Sequence, residues 1–253
     1  MKKFAVVLLL LLSQYTSADD EKTIRVAAID WCPQLCLQQE QNGYILDIVK
    51  EVFRGTGYKV TVEVYPWSRA LALTKSGDVE AVLAPAKAEA PNLLYPEYEV
   101  GTQSMCFFSE KPNPWRYLST DSLKNLQFGI ATDTSIEELN QYVADNPQQF
   151  QFQPYFGGYI HQQARKVMKG RIDAFLFTKN STVYELSRLG LMSKFKISGC
   201  VNNTNVYMAF SSNPDRESII RPLIELFDSR MEMIRNSEII PNIMQKYGLQ
   251  DWR

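Results

Sequence analysis

Two runs of alternating strand and helix signals, with a proline-rich stretch between them, constrain this chain more than any other feature of its sequence. In the first run, Thr23–Ile29 reads as a buried strand that stops at Asp30-Trp31-Cys32-Pro33, where the proline ends it. Ile45, Ile48, Val49, Val52 and Phe53 then recur at the spacing of one apolar helix stripe, closed by Gly55 and Gly57. Val60, Val62 and Val64 alternate with Thr61 and Glu63, as a strand with one wetter face does. A helix from about Trp67 to Ser76 ends at Gly77, and Ala81–Ala84 reads as a short buried strand. Strand, helix, strand, helix, strand is the signature of a parallel α/β unit.

The pattern pauses between Pro85 and Pro114, a stretch holding five prolines, and then restarts. Gln127–Ala131 reads as a strand, and Thr134-Ser135-Ile136-Glu137 has capping-box spacing ahead of a helix. Phe150–Tyr155 alternates like a strand, a helix is expected from Tyr159 to Lys169, and Ile172–Thr178 reads as a buried strand. Asn180 or Ser181 is the expected cap of a further helix ending near Gly190, and Thr204–Ser211 reads as another strand. The tail from Asp215 to Tyr247 is helical in pattern, with breaks expected near Pro222 and across Ser237–Pro241. Two α/β units with no low-complexity linker leave a cleft between them, a common place for a ligand.

The first residues point to export. Lys2 and Lys3 precede an apolar run from Phe4 to Leu12, and Thr16 and Ala18 suit cleavage before Asp19. Nine apolar residues are too few for a hydrocarbon core that needs roughly 20. No cysteine follows the run directly, which disfavours a lipid anchor. Without residues 1–18 the 27 basic residues lose Lys2 and Lys3, leaving 25 against 28 acidic ones. Such a mildly acidic chain has no basic field for nucleic acid or anionic membranes.

Four cysteines in an exported chain favour disulfides over metal or redox chemistry. Three pairings are possible; the favoured one joins Cys32 to Cys36 across a short turn and Cys106 to Cys200 between distant segments. A zinc site needs four placed ligands, and His161 is the single histidine, on a helix face flanked by glutamines. No metal or cofactor is therefore expected. There is no Gly-x-Ser-x-Gly elbow, no Gly-x-Gly-x-x-Gly turn and no phosphate-cradling loop. The enzymatic alternative, a dehydratase-like or lyase-like protein on the same fold, would need an ionisable group at the cleft centre, with Glu97, Lys87 or Asp133 as candidates.

The motifs fall in one order. Ile24-Arg25-Val26, Trp31-Cys32-Pro33, Gly43-Tyr44-Ile45-Leu46-Asp47, Gly57-Tyr58-Lys59-Val60 and Pro66-Trp67-Ser68-Arg69-Ala70-Leu71 lie in the first unit. Phe128-Gly129-Ile130-Ala131-Thr132-Asp133-Thr134 and Gly170-Arg171-Ile172-Asp173-Ala174 follow in the second. Over nearly the whole chain after residue 18, this order resembles the extracellular solute-binding proteins of family 3, the periplasmic amino-acid-binding type.

The resemblance implies a type II two-lobed fold with two hinge strands and C-terminal helices that return to lobe one. It places lobe one at 19–102 and 208–253, lobe two at 103–207, and each favoured disulfide within a single lobe. It implies a periplasmic monomer that captures a small solute for an ABC permease, or reports it to a membrane sensor, and is not an enzyme. By position, Trp31 and Trp67 would sandwich the ligand, and Thr132, Thr134 and Ser135 would bind an anionic group at a helix N-terminus. Two positions depart from the family. Asn92 stands where an arginine usually grips a carboxylate, and Thr178, followed by Lys179, stands where an aspartate usually holds an ammonium. With Arg69 and Lys87 placed near the cleft rim, the expectation shifts toward an anionic or neutral polar ligand.

Overall fold

The computed structural model describes residues 22–37, 40–132, 136–155 and 158–253. The proposed leader 1–18 lies outside them. The chain begins with β1 (Lys22–Ala28), α1 (Tyr44–Val52), β2 (Tyr58–Val64), α2 (Trp67–Ser76) and β3 (Ala81–Leu83). It continues through β4 (Gly101–Glu110), β5 (Phe128–Ala131), α3 (Asn140–Asp145), β6 (Phe150–Gln153), α4 (Tyr159–Met168), β7 (Ala174–Thr178) and α5 (Lys179–Arg188). It closes with β8 (Phe195–Val206), β9 (Met208–Phe210), α6 (Glu217–Arg235) and α7 (Ile239–Lys246).

These strands form two mixed sheets, in the orders β2-β1-β3-β9 and β6-β5-β7-β4-β8. In each, a parallel β-α-β core carries added antiparallel strands. Each sheet has apolar residues on both faces, so each must be covered twice. Ile24, Val26 and Phe210 of the first sheet pack with Ile45 and Ile48 of α1, Phe227 of α6 and Met244 of α7. Ala27, Val82 and Ala209 on the opposite face meet Ala70 of α2. In the second sheet, Phe108, Phe175 and Phe177 pack with Ala164 of α4 and Leu186 of α5, while Phe107, Phe128 and Leu176 pack with Leu139 and Val143. Both expected disulfides form, and Cys106 and Cys200 are cross-strand partners of β4 and β8.

Several sequence expectations need correction. The proline-rich pause hides β4, whose ten residues sit between Pro96 and Pro112, so the prolines flank the strand and remove no ladder donor from it. The single strand expected at 204–211 is two: β8 ends at Val206 in one sheet, Tyr207 is the crossing, and β9 belongs to the other. Gly101 of β4 pairs with Val206, so both passages between sheets lie side by side. The helix at the tail runs unbroken through Pro222. That residue is exposed, which leaves the deprived carbonyl turned to water, while Ile220, Leu223 and Phe227 hold the helix to the core. Thr178, not Asn180 or Ser181, is the N-cap residue of α5. The strand expected to reach Tyr155 ends at Gln153, before Pro154. The capping box has Thr134 and Ser135 outside the described residues; after it comes one 3-10 turn, Glu137–Leu139, leading into α3.

One ion cluster ties the far C-terminal region to the first sheet. The buried Glu80 carboxylate accepts hydrogen bonds from the Arg25 backbone at 2.7 Å, from the Arg25 guanidinium at 2.9 Å, and from Arg216. Burial opposes its ionisation, but the Arg25 hydrogen bonds and the two guanidinium charges prevail and hold its pKa below the usual glutamate value. A depressed folded-state pKa stabilises the fold above the unfolded value, and that contribution disappears as pH falls through the folded one. Glu80→Gln is therefore expected to cost about 1–3 kcal/mol at pH 7. In urea unfolding the gap between wild type and variant should narrow by pH 3; an equal gap at both pH values would refute this role.

Candidate functional site

The strand polarity sets where a site can form. The parallel strands β1, β2 and β3 end at one edge of the first sheet, and β5, β6 and β7 end at one edge of the second. In open α/β sheets ligands bind in the crevice outside these carboxyl ends. Here a cavity of about 520 Å³ lies there. Ile29, Asp30 and Trp31 reach it after β1, and Tyr65, Pro66, Trp67 and Ser68 reach it from the β2–α2 turn. Leu83, Ala84 and Glu89 line it from β3 and the segment beyond. From the other sheet come Thr132 after β5, Pro154 and Tyr155 after β6, and Phe177 and Thr178 at the end of β7. Gln103 enters from β4, which runs antiparallel to β7 and so begins at the cleft.

Direct contacts between the two halves close one side of this cavity. The indole N–H of Trp31 donates to the Thr178 hydroxyl at 3.2 Å, and the Ser181 hydroxyl donates to the Gln34 side-chain oxygen at 3.2 Å. The Tyr155 hydroxyl donates to the Asp30 carbonyl at 3.3 Å. The first-lobe side of these contacts is the loop 31–37, closed by the Cys32–Cys36 disulfide and by the paired backbone bonds of Trp31 and Leu35. The loop folds back on the start of α1 because Gly43, at φ 88°, has no side chain. A Cβ there would lie 2.5 Å from the Gln34 carbonyl oxygen.

Aromatic surface dominates the wall. Tyr155 stacks on Phe177 with ring centroids 5.1 Å apart, and its hydroxyl pKa is raised by burial and by the nearby Asp30 charge. Trp31 is only 5% exposed, so most of its surface already meets protein. Among the described residues, the charged lining groups are the carboxylates of Asp30 and Glu89. Asp30 accepts the Leu37 backbone N–H at 2.8 Å, and Glu89 accepts that of Ala86 at 2.9 Å. Ala84 holds a left-handed backbone at φ 69° on the same wall, a conformation uncommon for a residue with a side chain.

Of the residues singled out in the sequence, Trp31, Trp67, Thr132 and Thr178 line the cavity. Thr178 is engaged with Trp31, and Thr134, Ser135 and Asp133 lie outside the described residues. Arg69 and Lys87 do not line it. Arg69 lies over the ring of Tyr65, a lining residue, at 5.7 Å, and Lys87 over those of Tyr207 at 4.7 Å and Tyr95 at 5.7 Å, so each cation is engaged by an aromatic face beside the cavity. Asn92 and Glu97 are exposed, outside the lining. No lysine, arginine or histidine is among the described lining residues, so Arg69 and Lys87 lend no support to an anionic ligand, while Thr134 and Ser135 of the expected anion site lie outside the described residues. The sequence reading missed Asp30, Tyr65, Glu89, Gln103, Tyr155 and Phe177. Asp30, Tyr65 and Tyr155 each follow a strand end, a positional signal that was available. Among the described residues no three His, Cys, Asp or Glu side chains gather as a metal site, and no helix is long and apolar enough to cross a membrane.

No family model matches the sequence, and no curated protein matches it. Solved structures do. A Streptococcus mutans protein, from work on glutathione import via GshT and a cystine ABC importer, aligns with TM-score 0.73 and 17% identity over 91% of this chain and 96% of that one. A substrate-binding protein of an ABC uptake transporter from Streptococcus pneumoniae, with bound histidine, aligns with TM-score 0.70 and 12% identity over 90% and 93%. A histidine kinase sensor domain similar to periplasmic binding proteins aligns with TM-score 0.70 and 15% identity over 92% and 100%. The chain accordingly has the type II two-lobed α/β fold of the family 3 extracellular solute-binding proteins.

Proposed function

We propose that the protein is an exported solute-binding protein that closes two lobes, taken as 19–102 with 208–253 and as 103–207, around one small molecule. The observation that carries this reading is the cavity at the carboxyl ends of both sheets, walled by residues of both and bridged by direct hydrogen bonds between them. Its volume falls within the roughly 300–1,000 Å³ of small-molecule sites. Trp31, Trp67 and Thr132 contact the solute in this reading; Thr178 acts through Trp31, and Arg69 and Lys87 do not touch it.

The mechanism follows from that wall. A solute in the cavity touches Trp67 and Ser68 on one side and Gln103 and Thr132 on the other, so it makes more contacts when the lobes meet. Differential contact of this kind shifts a two-state equilibrium toward closure. The Trp31–Thr178 and Gln34–Ser181 bonds add a protein-only contribution of about 0.5–1.5 kcal/mol each. The closed form is then the one presented to a membrane partner, proposed here as an ABC permease. The likeness to a histidine kinase sensor domain supports a second reading, in which the closed form signals to a membrane receptor.

A thermal-shift screen against amino acids, organic acids, sugars, polyamines and phosphorylated compounds tests the proposal. A specific solute at about 100 times its Kd should raise the melting midpoint by about 5–10 °C. Trp67→Ala should abolish that shift. Conversion of a hit into product, or a shift unaffected by Trp67→Ala, would contradict the reading.

Closure itself is tested by Trp31→Phe, which keeps a ring and removes the donor. Loss of one net hydrogen bond of about 1 kcal/mol should lower the closed-to-open ratio about fivefold. The readout is faster amide exchange at the start of α5 with little change in melting midpoint. Unchanged exchange there would mean the bond does not hold the lobes.

A further inference from the structure

The cavity wall combines two features that together select a ligand class. Five aromatic side chains are among its lining residues, Trp31, Tyr65, Trp67, Tyr155 and Phe177, with Trp31 and Phe177 offering little exposed surface. Its charged groups, among the described residues, are the carboxylates of Asp30 and Glu89. Arg69, over the lining ring of Tyr65, and Lys87, over Tyr207 and Tyr95, are not among the lining residues. Ring faces carry negative quadrupole potential, and the attraction to a cation grows when water is excluded. Two carboxylates beside such faces add a Coulombic attraction that a low-dielectric cavity strengthens.

A ligand carboxylate meets the opposite situation. It would lose its water on entering, with no guanidinium or ammonium among the described lining residues to replace it, and burying an unpaired charge is costly. Thr178 also has a prior engagement, its hydroxyl accepting the Trp31 indole N–H at 3.2 Å. The remaining neutral groups, Ser68, Gln103 and Thr132, offer hydrogen bonds without a formal charge.

Resting on the solute-binding reading above, we propose that the solute is a small organic cation that carries no carboxylate, an alkylammonium or quaternary ammonium compound. The ammonium lies against the aromatic faces within reach of Asp30 and Glu89, and the body of the molecule fills the rest of the cavity. The proposal concerns ligand class alone and leaves open whether the solute is transported or sensed.

Matched pairs of probes isolate the carboxylate. Calorimetric titration of the wild-type protein with choline against glycine betaine, and with cadaverine against lysine, changes one group at a time. The expected result is that at least one member of the carboxylate-free set binds, and that its carboxylated twin binds at least tenfold more weakly. Glu89→Gln and Asp30→Asn, each checked for an unchanged melting midpoint without ligand, should each weaken the cation at least tenfold. If a twin binds as tightly as its carboxylate-free partner, or if only an acid or a sugar binds, the ligand class is wrong and the solute-binding function stands. If neither choline nor cadaverine binds, the ligand class is equally overturned, and the broader thermal-shift screen decides the function separately.

Discussion

The contact between the loop 31–37 and the first turn of α5 is the constraint on which the rest of this molecule's behaviour depends. Each sheet has its own core and its own helices, and the two passages between them, at Val100–Gly101 and Val206–Met208, run side by side. Paired crossings of that kind fix where the lobes join and leave their separation free. What sets the separation is the hydrogen bonding of Trp31 and Gln34 to Thr178 and Ser181. The loop can play this part because it is short, cross-linked by Cys32–Cys36, and folded against Gly43, where no side chain is tolerated.

That constraint also determines the cavity's chemistry. With the lobes in contact, Trp31 lines the space yet gives its only polar side-chain atom to Thr178, so in the proposed function it offers a solute an apolar surface. Tyr155 is likewise committed, its hydroxyl donating to the Asp30 carbonyl while its ring stacks on Phe177. In the proposed function, polar recognition then falls, among the described lining residues, to Ser68, Gln103, Thr132 and the two carboxylates. Side chains that close the protein and side chains that read the solute are therefore largely different sets.

Much of the fold was legible because its signals are local. The stripe of Ile45, Ile48, Val49 and Val52 and the alternation of Val60, Val62 and Val64 each report one element, and both are where the pattern puts them. β4 was hidden because its amphipathic alternation is absent: Met105, Cys106, Phe107 and Phe108 are buried on both faces of a central strand. The break expected at Pro222 failed because one lost hydrogen bond on an exposed face is outweighed by burial on the other. The site was harder. Trp31, after β1, and Trp67, at the start of α2, were expected from the family resemblance, while Glu89 and Gln103 carry no local signal that marks them as lining residues. Arg69 and Lys87 lie beside the cavity without lining it, Arg69 over the lining ring of Tyr65 and Lys87 over Tyr207, and charge alone says nothing about direction.

The central claim is that one solute touches both lobes at once. Calorimetric titration of the compound that most raises the melting midpoint, against wild type, Trp67→Ala from the first lobe and Gln103→Ala from the second, tests it most directly. The account predicts a severalfold or greater loss of affinity in both variants. Full affinity in either one would show that the solute is held by a single lobe, which the two-sided cavity does not allow.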